Sequence, residues 1–410
     1  MTERGSRQEA FVAPDNLAAL ATARELGCAG IAVTVLAHRR GPAARSRFVE
    51  FAQVPDLYRQ PSAWAAEVAR LAAARPKPPV FFPTEDAALI AAEHEYETLA
   101  SAVRFSYAAP GVVPNIVDKR RLYATARSLG IATPSFLAID SRDRLDRIPS
   151  DWMVKPACRY WLAPTGEIRT FLTLSGGSKA ISQEPGRAAA RILEAGFPVL
   201  AQERIPGAFE ELVSVGLYVD RSGQILAAFC ARKHCEYPEP FGDGLVVEAI
   251  SDPGIGGAAA DLLKACGYWG VCDVEFKRDP RDGQFKLLDA NPRVWLWHGL
   301  GAACGSPLAL TAYCVASGQR PPAYPPNGAR HPTWVSPRGC LAFLLTSYRP
   351  KRHGLGLPAR LTVGALRTIL RDLKTFRDPL YLRPSAWRAF ASEVGSRLHA
   401  RWNKHVADGD

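Results

Sequence analysis

Two strand-like runs on either side of a dense turn constrain this chain more than any other stretch. Asp273-Val274-Glu275-Phe276-Lys277 and Gln284-Phe285-Lys286-Leu287-Leu288-Asp289 flank Asp279-Pro280-Arg281-Asp282-Gly283, a segment made of turn formers. A hairpin symmetric about Arg281 sets Glu275 opposite Leu287 and Asp273 opposite Asp289. Side chains alternate faces with period two, so Asp273, Glu275, Leu287, Asp289 and Asn291 project from one face. Glu275 is then diagonal to Asp289, about 7 Å away at the backbone, and two carboxylates so placed can hold a metal ion between them. Oxygen ligands with no His or Cys nearby point to Mg2+ rather than Zn2+. The same pattern also suits a solvated hairpin face, so the metal reading needs support from elsewhere in the chain.

The first hundred residues alternate helix and strand signals. Phe11-Val12-Ala13 leads into Pro14-Asp15-Asn16, a helix cap, and the helix predicted from there runs to Leu26. A strand is expected over Ile31–Leu36, a helix capped by Ser62 through Ala74, and a buried strand at Val80-Phe81-Phe82-Pro83. This alternation predicts a parallel sheet, and no G-x-G-x-x-G turn marks it for a dinucleotide. Asp118-Lys119 opens an amphipathic helix, Leu122 to Leu129, that Gly130 closes. Strand-rich stretches run on to Gly318, and the Pro-rich segment 320–337 reads as a linker or wrapping segment.

A magnesium site implies phosphate, and basic groups are present for it. Lys155 ends the strand-like run Trp152-Met153-Val154, and Ser175-Gly176-Gly177-Ser178-Lys179 is a loop whose glycines let backbone amides approach phosphate oxygens. Arg232-Lys233 closes the strand that starts at Ile225, after an Asp220-Arg221-Ser222-Gly223 turn. Gln202-Glu203-Arg204-Ile205-Pro206-Gly207 is a crossing segment able to meet an adenine edge, and Glu210 or Glu211 can accept from ribose hydroxyls. Each of these signals alone is equally an ordinary turn or strand end.

Taken in order, Asp118-Lys119, Val154-Lys155-Pro156, Gly176-Gly177-Ser178-Lys179, Gln202-Glu203-x-Ile205-Pro206-Gly207, Arg232-Lys233, Glu275-Phe276-Lys277 and Asp289-Ala290-Asn291-Pro292-Arg293 resemble the ATP-grasp superfamily. More narrowly, they resemble stand-alone carboxylate–amine ligases related to the carbamoyl-phosphate-synthase ATP-binding domain. The resemblance covers residues 10–318 and is most specific over 212–313. It implies an α/β (α+β) chain: a parallel-sheet domain over 1–112, a small lobe over 113–198, a large lobe with the metal site over 199–320, and a Pro-rich linker with a helical extension over 321–410. By the same resemblance Lys119 and Lys155 contact ATP phosphates, and the loop of Lys179 closes over them. Gln202, Glu203 and Ile205 line the adenine hinge, and Glu210 or Glu211 meets the ribose. Glu275, Asp289 and Asn291 hold Mg2+, with Mn2+ as the alternative ion, and Lys233 and Arg293 act at the transferred phosphate. The implied reaction converts a small-molecule carboxylate to an acyl phosphate that an amine then captures. Asp289 stands where the family more often has Glu, His234-Cys235-Glu236 follows Lys233 where relatives often have another base, and Asp273 is an additional carboxylate. An ATP-grasp phosphotransferase or carboxylase, and a nucleotide-binding scaffold, stay open as alternatives.

Bulk composition narrows the classes further. No apolar run reaches the ~18 residues of a membrane span, and the polar start lacks a signal-peptide core, so a cytoplasmic protein is expected. The nine cysteines show no C-x-x-C spacing, which argues against a zinc site or disulfide framework. Of the net charge of +11, residues 338–410 carry +9, from 14 Lys and Arg against 5 Asp and Glu. Helical signals there include Leu366, Ile369, Leu370 and Leu373 on one face. A basic tail of this kind suits a solvated helical cap, an acidic carrier or an anionic membrane surface; no nucleic-acid-binding module is recognisable. The oligomeric state is not encoded in any feature of the sequence.

Overall fold

The computed structural model describes residues 8–171, 184–237, 243–322 and 331–336. The loop carrying Lys179 and the basic helical tail of 338–410 lie outside these residues.

The amino-terminal unit is a parallel sheet, as its alternating signals predict. Its strands are β1 (Ala10–Ala13), β2 (Val33–Ala37), β3 (Val49–Gln53), β4 (Val80–Pro83) and β5 (Arg104–Phe105), in the order β3-β2-β1-β4-β5. β1, β2 and β4 are buried along their whole length, which is why they read as continuous apolar runs rather than alternating ones. Helix α1 (Leu17–Cys28) starts at Asn16, whose side chain accepts from Ala19 N at 3.0 Å. Helix α2 (Pro61–Ala73) begins one residue before the expected cap. Gln60 is its N-cap and Pro61 takes the first helical position, where a missing N–H costs nothing, while Ser62 instead donates to Glu95. Helix α3 (Asp86–His94) follows β4 almost directly, and α4 (Tyr96–Ala100) follows α3.

After the short helix α5 (Val113–Val117), Asp118 caps α6 (Lys119–Ser128) by accepting from Arg120 N at 2.9 Å. A second sheet joins β6 (Phe136–Ile139), β7 (Met153–Pro156) and β10 (Val199–Gln202), with β10 central and antiparallel to both neighbours. It therefore runs across the domain boundary expected at 198. Strands β8 (Tyr160–Leu162) and β9 (Ile168–Thr170) form a separate hairpin, and α7 (Pro185–Glu194) packs on β7 and β10.

The third sheet holds β11 (Leu212–Val219), β12 (Ile225–Tyr237), β13 (Asp243–Ile250), β14 (Gly270–Arg278), β15 (Phe285–Asn291) and β16 (Thr333–Val335), in the order β15-β14-β11-β12-β13-β16. Arg232-Lys233 does not close a strand: β12 runs on to Tyr237, which places Lys233 inside the sheet. Of the two readings of the Pro-rich segment, β16 agrees with a wrapping one over 331–336, because this part hydrogen-bonds β13 as an edge strand and buries Trp334. Helix α8 (Gly256–Ala265) packs on β11, and α9 (Leu300–Ala303) and α10 (Leu308–Ala316) follow β15. One apolar cluster runs from Val12 of β1 and Leu26 of α1 to Tyr218 of β11, Trp295 after β15 and Tyr313 of α10, joining the two units. Among the described residues no helix is long and apolar enough to cross a membrane.

Candidate active site

The hairpin of β14 and β15 forms, with a register different from the symmetric one. Phe276 pairs with Leu287, but a bulge between Glu275 and Phe276 shifts the ladder. Beyond it Glu275 faces Asp289 directly and Asp273 faces Asn291. One extra residue in β15 inverts the alternation there, so Leu287 leaves the polar face and joins the core with Phe276. The consequence for chemistry is favourable. Directly opposed side chains lie closer than diagonal ones, so the bulge brings the two carboxylates nearer than simple alternation would.

Each carboxylate already has a cation. Lys119, the first residue of α6, reaches Asp289 Oδ1 at 2.8 Å, and Lys233 of β12 reaches Glu275 Oε1 at 2.5 Å. Burial works to lower the Lys119 pKa, but the charge of Asp289 and its hydrogen bond outweigh burial and the net shift is upward. Asn291 Oδ1 accepts from Arg293 Nη2 at 3.4 Å. Arg293 Nε in turn donates to Asp86 Oδ1 at 2.6 Å; Asp86 opposes the burial of the guanidinium and holds its pKa above the usual value. Asp86 opens α3 just past the carboxyl end of β4, so one ion pair ties the amino-terminal unit to the segment directly after β15.

Asp273 shares this face. Its Oδ1 is buried with no hydrogen-bond partner among the described residues, and burial followed by the charge of Glu275 pushes its pKa up to about 8. Ser214 Oγ, on β11 opposite Glu275, is likewise buried and unpartnered. Gly216, opposite Asp273, leaves room for two rings: a Cβ there would lie 2.7 Å from both Phe229 and Trp295.

The donor set suits a hard divalent cation. Two opposed carboxylates and an amide oxygen offer oxygen ligands of the kind Mg2+ takes, and two lysine ammonium groups now lie against the carboxylates. Among the described residues no three His, Cys, Asp or Glu side chains converge on one point, so a third protein oxygen for such an ion would have to come from another residue type, and the Asn291 amide is the one at hand.

The other expected residues distribute around this centre. Lys155 is buried in β7, its ammonium 5.9 Å from the Tyr123 ring. The Tyr123 hydroxyl lies 3.1 Å from Gln202 Oε1 and 2.9 Å from the carbonyl of Leu288, next to Asp289, so Lys155 and Gln202 are coupled to the carboxylate strand through one phenol. Glu203 Oε1 pairs with Arg281 of the hairpin turn at 2.6 Å, and its N–H donates to Ser135 O. Ile205 is buried and its carbonyl, with that of Gly207, accepts from Lys277 Nζ at 3.1 and 3.0 Å. Glu210 and Glu211 form the short turn before β11 and make no ion pair among the described residues. Cys158, beside this centre, is kept a thiol: burial, then the charge of Asp118, pushes its pKa up to about 12.

Asp86 was not singled out from the sequence, nor were Glu85, Tyr58, Arg159 and Tyr160 around it. A signal existed, because Thr84-Glu85-Asp86 directly follows a buried parallel strand, and the carboxyl ends of such strands are where open sheets bind ligands.

The family described as carbamoyl-phosphate synthase L chain, ATP binding domain matches residues 251–323, the stretch that holds Glu275, Asp289, Asn291 and Arg293. The chain superposes on the ADP complex of N5-carboxyaminoimidazole ribonucleotide synthetase over 83% of its own length and 84% of that chain, with a TM-score of 0.61 at 13% identity. The chain has an ATP-grasp fold. The ATP-grasp likeness extends to Rhizobium etli pyruvate carboxylase, with a TM-score of 0.58 at 15% identity over 79% of this chain and 30% of that one. By sequence, this ATP-grasp chain is 30% identical to D-aspartate ligase of Enterococcus faecium over 107 residues, 25% of each protein. It is 28% identical to the carbamoyl phosphate synthase large chain of Thermomicrobium roseum over 172 residues, 36% of this chain and 16% of that one. The chain thus spans a quarter or less of the curated relatives it matches.

Proposed function

We propose that the protein is an ATP-dependent ligase that joins a small-molecule carboxylate to an amine through an acyl phosphate, releasing ADP and phosphate. The observation that carries this reading is the direct pairing of Glu275 with Asp289, each carboxylate met by a lysine from a different element. Bound between them, Mg2+ would neutralise charge on the triphosphate. Lys119 and Lys233, displaced from the carboxylates, are then placed to hold phosphate oxygens as charge develops there. Arg293, its direction fixed by Asp86, orients the substrate carboxylate so that its oxygen bonds to the γ-phosphorus as the bond to ADP breaks. An amine then attacks the acyl carbon, phosphate leaves, and the amine proton passes to solvent. Positioning and charge do most of the work in phosphoryl transfer, so no side-chain nucleophile is required. The partial likeness to a D-aspartate ligase supports the ligase class.

The test is ADP release in Mg-ATP across a panel of carboxylates, with and without amines, using hydroxylamine to trap an acyl phosphate as a hydroxamate. Carboxylate-dependent hydroxamate formation supports the ligase. ADP release with bicarbonate alone would move the reading to a carboxylase, and no binding of Mg-ADP would sink it.

A further inference from the structure

Three side chains sew the crossing segment 202–207 to the hairpin that carries Glu275 and Asp289. Lys277 of β14 donates from Nζ to the carbonyls of Ile205 at 3.1 Å and Gly207 at 3.0 Å. Arg281, in the hairpin turn, reaches Glu203 Oε1 at 2.6 Å. That guanidinium is itself aimed, because the fully buried Asp279 accepts from its Nε at 2.9 Å and its Nη2 at 2.5 Å. At the other end of the segment the Tyr123 hydroxyl bridges Gln202 Oε1 and the carbonyl of Leu288, the neighbour of Asp289. The backbones also approach closely: Gly207 has a φ of 94°, and a Cβ there would lie 3.3 Å from the Pro280 ring of the turn.

The spacing along β14 gives these ties a use. Glu275 and Lys277 are two residues apart on one face of the strand, about 7 Å along it. The carboxylate end of this ruler faces Asp289, and the ammonium end holds two carbonyls of the crossing segment. Connecting segments are otherwise the more mobile parts of a fold. The ties are unequal. Arg281 is 50% exposed where it meets Glu203, and ion pairs in water contribute little. Lys277 is half-buried and makes two charge-assisted bonds to one short stretch of backbone, so most of the hold comes from it.

We propose that Lys277, aided by Arg281, fixes segment 202–207 at a set distance from Glu275 and Asp289, so that selection of the nucleotide base depends on the hairpin of β14 and β15. This inference rests on the ligase reading, in which the segment meets the base, and names the residues that set selectivity there. Both are positioning residues: they act through the backbone that they hold. Backbone groups held still present one pattern of donors and acceptors, and guanine carries the reverse of adenine's pattern on the corresponding edge.

The experiment is calorimetry on the full chain with Mg-ADP and Mg-GDP, which differ only in the base. The wild type should bind Mg-ADP at least about tenfold more tightly than Mg-GDP. Lys277→Met keeps the apolar stem and removes the charge. It should weaken Mg-ADP about tenfold and change Mg-GDP by about twofold at most, which closes the gap. Lys277→Arg should recover part of the gap, since a guanidinium also donates to carbonyls. Arg281→Ala should weaken Mg-ADP by about threefold or less, again with Mg-GDP unmoved. A wild-type gap in Lys277→Met would overturn the proposal even if both affinities fell, because a tie that serves only stability lowers them alike. Equal binding of the two nucleotides by the wild type would also overturn it. Should Lys277→Met fail to fold, wild-type gaps in both Lys277→Arg and Arg281→Ala would do the same. Failure of the wild-type protein to bind Mg-ADP would instead remove the ligase reading beneath it.

Discussion

At the scale of single residues, the site is a set of buried charges balanced in pairs, and removing one member leaves the other exposed to a poor environment. Glu275→Gln keeps the shape of the side chain but gives Lys233 a neutral partner and takes a charge from the metal position. Mg-ADP affinity measured by calorimetry should fall by about tenfold or more, the cost of a charge-assisted contact. Wild-type affinity in that variant would mean that Glu275 is not a ligand. Gly216 is constrained by packing rather than charge. Its missing Cβ would meet Phe229 and Trp295 at 2.7 Å, and both rings are buried. Gly216→Ala should therefore lower stability by about 1–3 kcal/mol, the usual range for overpacking, seen as an earlier midpoint in urea unfolding.

At the scale of elements, α1 and α10 meet around a buried acid and a buried imidazole. Glu25 Oε1 accepts from Leu310 N at 2.8 Å in the first turn of α10, and Glu25 Oε2 lies 3.9 Å from His298 Nε2. Burial pushes Glu25 up to about 7 from 4.5 and His298 down to about 4 from 6.5. The raised Glu25 contributes stability that is complete below pH 4.5 and lost as pH rises through 7. The depressed His298 contributes stability that is complete above pH 6.5 and lost as pH falls through 4. Between pH 4.5 and 6.5 the two slopes oppose each other, so this pair gives the wild type a flat profile. Glu25→Gln removes one slope. Its unfolding free energy should then rise with pH across that window by about 1.4 kcal/mol per unit relative to wild type, and it should exceed wild type at pH 8. Parallel profiles for the two proteins would show that Glu25 titrates normally.

For the whole molecule, the third sheet is completed by a segment far along the chain. Ala249 N donates to Pro332 O at 2.9 Å and Ser336 N to Leu245 O at 2.7 Å, so residues 331–336 are clipped along β13. Trp334 between them is 6% exposed and packs in the cluster that also contains Trp295 and Val247. Trp334→Ala should cost about 3–5 kcal/mol through lost burial and the cavity left behind, measured as a drop in the midpoint of thermal unfolding. A loss below about 1 kcal/mol would mean that the strand adds little to the sheet.

The sequence by itself determined the kinds of element and the chemistry available. Continuous apolar runs required buried parallel strands, Asn16 and Asp118 specified helix starts, and a run rich in Asp and Gly required a hairpin with carboxylates on one face. Those are local consequences of backbone sterics and side-chain period, legible in a few residues at a time. Tertiary structure decided which charges meet. The bulge that sets Glu275 opposite Asp289 rather than Leu287 leaves no local mark, because it arises from how β14 and β15 settle against β11 and the core. Lys119 on Asp289, Lys233 on Glu275 and Asp86 on Arg293 join positions 170, 42 and 207 residues apart. Coulomb attraction depends on distance through space, and only the packed sheets set that distance.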